Sequence, residues 1–386
     1  GEQSSRNWGW VRRMGRDPRE LPLIVEAMTI WDGMQHLVGE DVGFRRTGIL
    51  YLCDTDADIP HHEEWLKSAG DYTLDTRIVS GAELAALQPG AVKNYRAALY
   101  TRSDGRAEPQ KAAPAIARAA IRAGATLLQQ CAVRGIDVSA GRISGVVTEK
   151  GTVRTSTVIV AGGAWSSTLC RSLGVKLPQL KVRASVLRTA PVEGGPEGAA
   201  YASEFAYRKR LDGGYTIAGG TTSRHEIGPD SFRYLADFLP MIQREWRDLS
   251  LGISPDFFRE LGRDLKSGGF CEQNRVLDPA PVTSQLAGAR GAIEAVFPML
   301  KGVPTLQQWA GYIDATPDAV PVIAPVQSLP GLILATGFSG HGFGIGPGAG
   351  HLVADLVLGR RPIVDPSPFR YERFIDGTKH RPSTGV

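Results

Sequence analysis

The glycine-rich stretch Gly337–Gly348 (GFSGHGFGIGPG) constrains the fold of this 386-residue chain more than any other feature. It follows an apolar run, Gly331–Thr336, that predicts a buried strand, and it leads into a predicted helix from about Pro347 to just before Gly359. Glycines let the backbone approach a flat ligand closely, and a helix start offers unpaired N–H groups there. No GK[ST] follows, which excludes a P-loop. The stretch predicts a ligand-binding loop in an α/β protein, although a tight turn without a ligand has the same pattern.

A second strand also ends in small residues. Val158–Val160 predicts a buried strand, and the residues that follow it are Ala161-Gly162-Gly163-Ala164-Trp165. Small residues at a strand end leave room for a nucleotide to pass over it. A close contact between the strand and a helix is the alternative interpretation, and this pattern alone does not distinguish the two.

The composition excludes several other classes. The net charge of +4 is small against 44 basic and 40 acidic residues, and no Lys/Arg run resembles a nucleic-acid-binding tail. No apolar stretch approaches the roughly 20 residues that span a bilayer. The cysteines Cys53, Cys131, Cys170 and Cys271 have no CxxC spacing, so they predict neither a zinc site nor a disulfide framework. We therefore expect a cytoplasmic globular protein with no metal site, no nucleic-acid partner and no transmembrane segment.

The remaining periodicities predict two kinds of region. An Ala-rich helix should run from Pro109 to Ala123 and end at Gly124, with Pro114 either kinking it or marking where its regular part begins. Between residues 181 and 299, strand-like runs and Gly-Gly turns without βαβ spacing predict a mixed α+β region. Other predicted elements are a helix over 21–37, a strand over 48–53, a helix over 80–89 with Ser80 as its N-cap, a hairpin in 142–156 and a helix over 231–246.

Four motifs, in order along the chain, carry a resemblance to a known family. They are Ser4-Ser5-Arg6-Asn7, Asp104-Gly105 to Glu108-Pro109, Ala161–Trp165, and the segment from Trp309-Ala310-Gly311 through Thr316-Pro317-Asp318 to Gly337–Gly342. With these motifs the chain resembles the D-amino acid oxidase superfamily of flavoproteins, which includes glycine oxidase, monomeric sarcosine oxidase, D-amino acid dehydrogenase and opine oxidases. The resemblance implies a Rossmann-like α/β FAD-binding domain interleaved with an α+β substrate domain built on a mixed or antiparallel sheet. The FAD-binding domain would comprise residues 1–40, 101–175 and 307–386, and the substrate domain residues 41–100 and 176–306.

One part of the family pattern is not in the sequence. The family begins with a βαβ unit that carries GxGxxG and a ribose-binding Glu, and neither is present. We therefore expect that roughly 30–50 residues, about one βαβ unit, are missing. That segment or a partner subunit would complete the cofactor site; alternatively, the chain is a cofactor-free fragment or subunit.

The resemblance assigns FAD contacts to the positions that match the motifs. The pyrophosphate and flavin would be bordered by Ser4, Ser5, Arg6 and Asn7, and adenine would be recognised by the backbone of Val133. The adenosine would lie near Ala161, Gly162 and Trp165. The flavin would be lined by Gly337, Ser339, Gly340, His341, Gly342 and Phe343. Gly311 stands where sarcosine oxidases have the Cys that attaches FAD, so we expect FAD to be non-covalent. Gly344 stands where they have a Lys that helps to hold the substrate carboxylate, so another residue must do so here.

The resemblance also implies a reaction. A hydride would pass from the carbon that bears the amine to flavin N5, and the imine would then hydrolyse, with a small amine or amino acid as substrate and either oxygen or another acceptor for the electrons. An arginine would clamp the substrate carboxylate. The candidates are Arg12, Arg13, Arg208 and Arg210, and we predict that Arg13→Ala weakens carboxylate substrates mainly through affinity. An aromatic wall would be formed by Tyr207, Tyr312 and Trp10. His341 would touch flavin or substrate. Salt-bridged arginines and core aromatic residues are the alternative interpretations, and oxidation of a small hydroxy acid is the alternative reaction.

Overall fold

A computed structural model of the protein describes residues 2–72, 74–220, 223–245, 249–254, 257 and 274–382. Its α-helices are α1 (Leu21–Val38), α2 (Ile59–Ser68), α3 (Gly81–Leu87), α4 (Pro109–Arg122), α5 (Ser166–Ser172), α6 (Pro229–Arg233), α7 (Leu235–Glu245), α8 (Thr283–Val296) and α9 (Gly342–Leu358). Its strands are β1 (Trp10–Val11), β2 (Arg45–Arg46), β3 (Ile49–Cys53), β4 (Thr76–Val79), β5 (Ala97–Thr101), β6 (Gly105–Arg106), β7 (Val133–Ser139), β8 (Arg142–Thr148), β9 (Gly151–Arg154), β10 (Val158–Val160), β11 (Leu180–Thr189), β12 (Ala199–Tyr201), β13 (Phe205–Lys209), β14 (Tyr215–Gly219), β15 (Ser223–Ile227), β16 (Leu249–Ile253), β17 (Thr305–Ala315), β18 (Val322–Pro325) and β19 (Leu332–Thr336).

A small α/β sheet contains the two strands that the sequence singled out. Its order is β10-β19-β18, with β10 parallel to β19 and β18 antiparallel to β19. Both strands point their carboxyl ends in the same direction, so the turn after β10 and the glycine-rich stretch after β19 lie at the same edge. The expected strand and glycine turn form at both places, and the helix expected after β19 forms as α9. Strand β10 was expected to be buried, but Ile159 at its centre is 44% exposed because β10 lies at an edge of this sheet.

The largest sheet has ten strands and is mixed. Its order is β16-β15-β11-β14-β13-β12-β3-β5-β4, and β17 also pairs with β11. One face packs against α8 in a core that includes Tyr207, Ile217 and Phe297. The other face is covered by Trp10 and Met14 of the N-terminal segment. Both faces of the central strands are therefore buried, and every residue of β13 is buried. Two smaller sheets, β1-β6-β2 and β7-β8-β9, complete the described strands.

Helices α1 and α9 pack closely through glycine. A Cβ atom on Gly348 would lie 2.8 Å from the carbonyl oxygen of Leu23 and 3.2 Å from the Cβ of Ala27. The indole Nε1 of Trp31 in α1 donates to the carbonyl of Gly344 at 2.9 Å. Part of the glycine-rich stretch thus serves helix packing, because only a residue without a side chain allows this approach.

Three details of the predicted helices need correction. Helix α9 begins at Gly342, so Pro347 lies inside it and not in its first turn; the glycines themselves form the first turn. Helix α3 forms as expected, but Ser80 makes no side-chain capping hydrogen bond. The helix predicted over 231–246 is two helices, α6 and α7, because Gly228 and Pro229 start a separate turn; Trp246 lies outside the described residues. Helices α1 and α4 and the β8–β9 hairpin are confirmed, and Pro114 lies within α4 without ending it.

The predicted boundaries between domains stay a prediction. Strand β17 starts before residue 307 and pairs along its length with β11, so its hydrogen bonds join it to the large sheet. None of the described helices is both long and apolar enough to cross a membrane. Cys53, Cys131 and Cys170 are free thiols, and Cys271 lies outside the described residues.

Candidate functional site

Two glycine turns lie side by side at the carboxyl ends of β10 and β19. The strands pair in register from Val158 with Leu332 to Val160 with Leu334. Gly163 and Gly337 have positive φ values, 52° and 73°, which favour glycine. The hydroxyl of Thr336 donates to the carbonyl of Gly163 at 3.3 Å and ties one turn to the other. In open α/β sheets, ligands bind outside the carboxyl ends of the strands, and this edge is such a place.

A buried carboxylate, Asp314 at the end of β17, organises the turn after β19. Its Oδ2 accepts hydrogen bonds from the backbone N–H of Gly337 at 2.8 Å and from Gln179 and Thr336 at 3.3 Å each. Burial raises the pKa of Asp314, and the hydrogen bonds that it accepts act in the opposite direction. The carboxylate thus fixes the glycine turn through several donors. The sequence analysis missed Asp314, which lies between two motif segments.

The N-terminal segment crosses the same edge and is held there by Gln3. Its Oε1 accepts from the backbone N–H of Ala164 at 3.0 Å, and its Nε2 donates to the carbonyl of Tyr312 at 2.6 Å. Nε2 also lies 3.2 Å from Oδ1 of Asp314. One amide side chain therefore joins the turn after β10 to β17.

The predicted residues Ser4–Asn7 continue from Gln3 and contact β17. Arg6 donates from Nη1 to the carbonyl of Ala310 at 3.2 Å, and Trp309 donates from its indole to the carbonyl of Arg6 at 2.9 Å. A Cβ on Gly311 would lie 3.2 Å from the Cβ of Arg6. The structure thus brings together Ser4–Asn7 and Gly311, which the sequence placed in one cofactor site although they are about three hundred residues apart.

The loop over residues 337–341, here called the glycine loop, is held by hydrogen bonds to Asp314 and Thr316. The N–H of Ser339 donates to the carbonyl of Asp314 at 3.2 Å, and its hydroxyl accepts from the N–H of Thr316 at 3.1 Å. Ser339 has φ of 48°, a conformation that non-glycine residues rarely adopt. Backbone strain of this kind clusters at ligand sites, where the surrounding contacts maintain it. The Thr-Pro-Asp segment and the glycine loop therefore form one unit.

His341 and Phe343 point towards the core around α1. The Nδ1 of His341 lies 3.0 Å from Oε2 of the buried Glu20. Burial lowers the pKa of His341, while the charge of Glu20 acts in the opposite direction. The ring of Phe343 packs on Trp31 with centroids 5.2 Å apart. Through these contacts both side chains hold the start of α9 against α1 and its N-cap residue.

The residues predicted near the adenosine lie at an open edge. Ala161 and Gly162 are exposed and Trp165 is half-buried at the end of β10. Val133 is in the separate β7-β8-β9 sheet, where it pairs with Thr148 at one end of β8. A Cβ on Gly162 would make only an ordinary 3.4 Å contact with the hydroxyl oxygen of Ser166, so packing within the protein does not require glycine at this position.

Tyr207 has a structural role that corrects the expectation of an aromatic wall. It is fully buried, its hydroxyl accepts from Nε2 of Gln88 at 2.7 Å, and its ring packs edge-on against Tyr215 and Phe297. These contacts lie on the α8 face of the large sheet. Burial raises the pKa of Tyr207 well above its ordinary range, which keeps the hydroxyl neutral.

Three of the four arginines considered for the carboxylate clamp are already paired with carboxylates, and Arg210 is paired with Asp212 at 3.1 Å. Arg13 donates from Nε to Oδ1 of the buried Asp104 at 3.2 Å and also bonds the hydroxyl of Ser103. Arg208 forms a buried two-point pair with Glu108, at 2.8 Å and 3.2 Å. These contacts satisfy both side chains inside the protein.

The sheet face opposite α8 carries an aromatic cluster that the sequence analysis found only in part. Trp8 and Trp10 meet edge-on at 5.3 Å, and the rings of Tyr51 and Tyr201 lie 5.4 Å apart. The guanidinium of Arg12 lies 5.6 Å from the centroid of the Tyr51 ring. No carboxylate lies within ion-pair distance of Arg12 in the described part of the chain, so its charge has no such partner there.

Tyr312 lines a different, larger cleft next to the turn after β10. Ala164, Gln179, His225, Asp230 and Ser231 also line this cleft. Tyr312 is thus on the side of the strand ends, away from the aromatic cluster. Within the described ranges, no group of His, Cys, Asp and Glu side chains is arranged to hold a metal ion.

Comparison with known proteins adds independent evidence. The family model described as "FAD dependent oxidoreductase" (DAO) matches residues 1–356. Glycine oxidase of Pseudomonas aeruginosa is 26% identical over 333 residues, which are 86% of this chain and 76% of that protein. Mitochondrial sarcosine dehydrogenase of Mus musculus is 24% identical over 347 residues, and the match covers 88% of this chain but only 34% of that protein. The solved structure of L-amino acid deaminase from Proteus myxofaciens in complex with anthranilate is 31% identical with a TM-score of 0.91, covering 97% of this chain and 85% of that one.

Proposed function

The chain belongs to the DAO family of FAD-dependent oxidoreductases, and from this premise we propose that it oxidises the carbon–nitrogen bond of an amino acid. FAD, when bound, supplies the two-electron oxidation of the carbon that bears the amine. The protein must hold the amine and the carboxylate of the substrate in a fixed orientation and exclude bulk water. The observation that carries the proposal is the position of Arg12, a cationic side chain that lies on an aromatic cluster and has no carboxylate partner among the described residues.

We propose that FAD lies along the edge formed by the two glycine turns. Ser4–Asn7, Ala161, Gly162 and Trp165 would contact the pyrophosphate and adenosine half, with Val133 contributing backbone groups to adenine. Gly337, Ser339, Gly340, His341, Gly342 and Phe343 would line the flavin. The hydrogen bonds between the amide of Gln3, the carboxylate of Asp314 and the two glycine turns support this assignment, because they place polar groups at the strand ends. Gly311 offers no thiol, so we expect non-covalent binding.

Arg12 is the residue that we propose for the substrate carboxylate. Arg13 and Arg208 are paired with Asp104 and Glu108, whereas Arg12 rests on the ring of Tyr51. Nη1 of Arg12 donates to the carbonyl of Met14, and the other N–H donors of the planar guanidinium can bind a carboxylate.

The aromatic cluster supports a substrate with a large apolar or aromatic side chain. Trp8, Trp10, Tyr51 and Tyr201 present rings on one face of the large sheet. Flat aromatic surfaces bury apolar groups at low entropic cost. The similar L-amino acid deaminase was solved with anthranilate, an aromatic carboxylate. We therefore propose an aromatic or long aliphatic amino acid over glycine.

We further propose that additional polypeptide covers the open edge of the small sheet. Among the described strands β10 lies at one edge of this sheet, and Ile159 is 44% exposed there. Ile116 and Ile121 of α4 and the nearby Leu127 and Leu128 are also exposed. Unpaired strand edges and contiguous apolar surface are normally covered. A βαβ unit would pair with β10 and bring phosphate-binding N–H groups, whether it comes from the same protein or from a partner subunit.

A substrate panel tests the reaction. Purified protein that shows the flavin absorption bands is mixed without oxygen with phenylalanine, leucine and glycine, each in both enantiomers where they exist, and with phenyllactate as the matched hydroxy acid. We expect bleaching of the flavin by phenylalanine or leucine and none by phenyllactate. Bleaching by phenyllactate alone would assign the protein to hydroxy-acid oxidation, and no bleaching by any amine would contradict the proposal.

A further inference from the structure

Three buried ionisable side chains, Arg16, Glu20 and His341, form a connected group behind the glycine loop. The Nδ1 of His341 lies 3.0 Å from Oε2 of Glu20. Nη1 of Arg16 lies 3.8 Å from the same oxygen, and Nη2 of Arg16 donates to the carbonyl of His341 at 3.3 Å. The three residues are 2%, 0% and 5% exposed, respectively. A charged pair and an imidazole thus share one enclosed space.

This group is not explained by stability. Nη1 of Arg16 and Oε1 of Glu20 are buried and make no hydrogen bond to any described residue. A buried ion pair recovers its desolvation cost only when the remaining polar atoms are satisfied, which is not the case here. The unsatisfied atoms point to a role of Glu20 and Arg16 in controlling His341, the last residue of the glycine loop.

The chemistry of the three groups determines where the histidine proton resides. Burial lowers the pKa of Arg16 to about 10, so the guanidinium stays charged near neutral pH. Burial also lowers the pKa of His341, with the charges of Arg16 and Arg12 acting in the same direction and Glu20 in the opposite one. The imidazole is therefore neutral near pH 7. An ionised carboxylate only accepts hydrogen bonds, so the single ring proton belongs on Nδ1, facing Glu20.

We propose that Glu20 is a positioning residue that holds His341 as the neutral Nδ1–H tautomer, with Nε2 as the proton-accepting nitrogen at the N-cap of α9. Arg16 balances the charge of Glu20 and anchors the backbone of His341. The tautomer assignment stands on the geometry of this chain alone. Its functional consequence, a proton acceptor beside the flavin, rests on the proposed function.

Nuclear magnetic resonance of the full chain with ¹⁵N-labelled histidine tests the tautomer. A two-bond ¹H–¹⁵N correlation spectrum separates the Nδ1–H and Nε2–H forms, and His341→Gln assigns the signals. We expect the Nδ1–H pattern in the unaltered protein and a mixed or Nε2–H pattern in Glu20→Gln, because an amide both donates and accepts. We also expect Glu20→Gln to lower the pKa of His341 by roughly one unit or more, since a neighbouring opposite charge is lost.

Two control variants, His351→Gln and Glu20→Asp, distinguish an effect on the His341 tautomer from a general effect of substitution. His351→Gln, on the exposed side of the same helix, should leave the His341 signals unchanged. An Nε2–H pattern in the unaltered protein would overturn the proposal, and this result needs no variant that must fold. Identical His341 signals in Glu20→Gln and the unaltered protein would also overturn it, whereas Glu20→Asp should restore part of the Nδ1–H population.

A pH profile of the enzyme with bound FAD separates this inference from the proposed function. If Nε2 accepts a proton during turnover, Glu20→Gln moves the acid limb of kcat/KM to lower pH. A purely structural role would lower kcat/KM equally at all pH values, which would refute the functional consequence. If the spectra show the Nδ1–H tautomer but no amine is oxidised, the proposed function fails while the positioning role of Glu20 stands.

Discussion

Gln3 and Asp314 are joined by a hydrogen bond of 3.2 Å between the amide Nε2 of one and the carboxylate Oδ1 of the other. The same amide side chain accepts from the N–H of Ala164 after β10, while the carboxylate fixes Gly337 after β19. The two glycine turns are therefore positioned by side chains from distant parts of the chain. The geometry of the strand ends depends on these polar contacts as well as on the sheet.

Gly163 and Gly162 form a matched pair for testing this arrangement. An alanine Cβ at Gly163 would lie 1.6 Å from Oε1 of Gln3 and would require the positive φ of 52°. We expect Gly163→Ala to lower the free energy of unfolding by about 1–2 kcal/mol from backbone strain alone, and to weaken FAD binding. Gly162→Ala should leave the free energy of unfolding unchanged, because its Cβ would make only an ordinary contact with the protein. Denaturant unfolding and flavin content measure both, and equal effects of the two variants would contradict the role of Gln3.

The Glu108–Arg208 pair should dominate the stability of the contact between α4 and the large sheet. Both side chains are buried, and Arg208 also donates to the carbonyl of Trp8 at 2.6 Å. Removing one partner leaves an uncompensated buried charge, which costs about 3–5 kcal/mol. We expect Arg208→Ala to lose about that much in chemical denaturation. Arg46→Ala, which breaks the exposed pair with Asp32, should lose at most about 1 kcal/mol. Similar losses in the two variants would mean that the buried pair contributes no more than a surface pair.

The same pair predicts a dependence of stability on pH. Glu108 is desolvated, which raises the pKa of its carboxyl, but Arg208 and the N–H of Leu211 outweigh this effect and hold the pKa below the ordinary value of 4.5. A group whose folded pKa is depressed contributes stability above its unfolded pKa and loses it as the pH falls towards the folded pKa. We expect the unaltered protein to lose stability below about pH 4.5, and Glu108→Gln to lose less over the same range. Free energies of unfolding at pH 7 and pH 4 measure the difference, and parallel losses would assign the acid sensitivity to other carboxylates.

The strand–turn–helix units were predictable because their signals are local. The apolar run before Gly337 and the one before Ala161 each identify a strand and its carboxyl end without any knowledge of the rest of the chain. The resemblance to a family then placed Ser4–Asn7 and Gly311 in one site, which the structure brings together. Local patterns could not show that helix α9 starts at Gly342, since the close packing on α1 decides it.

The residues that hold the site were missed for a physical reason. Gln3, Glu20 and Asp314 act through contacts between segments hundreds of positions apart, and no periodicity marks such contacts. Tyr207 was placed in a substrate wall as one of three aromatic residues considered after the family resemblance, with core packing as the alternative interpretation. Both faces of β13 are buried, one against α8 and the other under Trp10, so an aromatic side chain on either face of this strand packs in the core.

Arg12 and Arg13 are neighbours with different partners, and this difference gives the sharpest test of the substrate site. Arg12 lies on Tyr51 without a carboxylate partner in the described part of the chain, so its guanidinium is available to a substrate. Arg13 is bound to the fully buried carboxyl of Asp104. Burial raises the pKa of Asp104, and the charge of Arg13 acts in the opposite direction. We expect Arg12→Ala to raise KM roughly 10- to 100-fold with little change in kcat, the size of a lost hydrogen bond to a charged group. Arg13→Ala should instead lower the free energy of unfolding by about 3 kcal/mol, because Asp104 loses its counter-charge.

Steady-state kinetics with a carboxylate substrate and with the matching amide, together with denaturant unfolding, separate the two effects. The amide should bind the unaltered protein and Arg12→Ala equally well; if Arg13→Ala alone raises KM for the carboxylate, the assignment of Arg12 is wrong and Arg13 is the clamp.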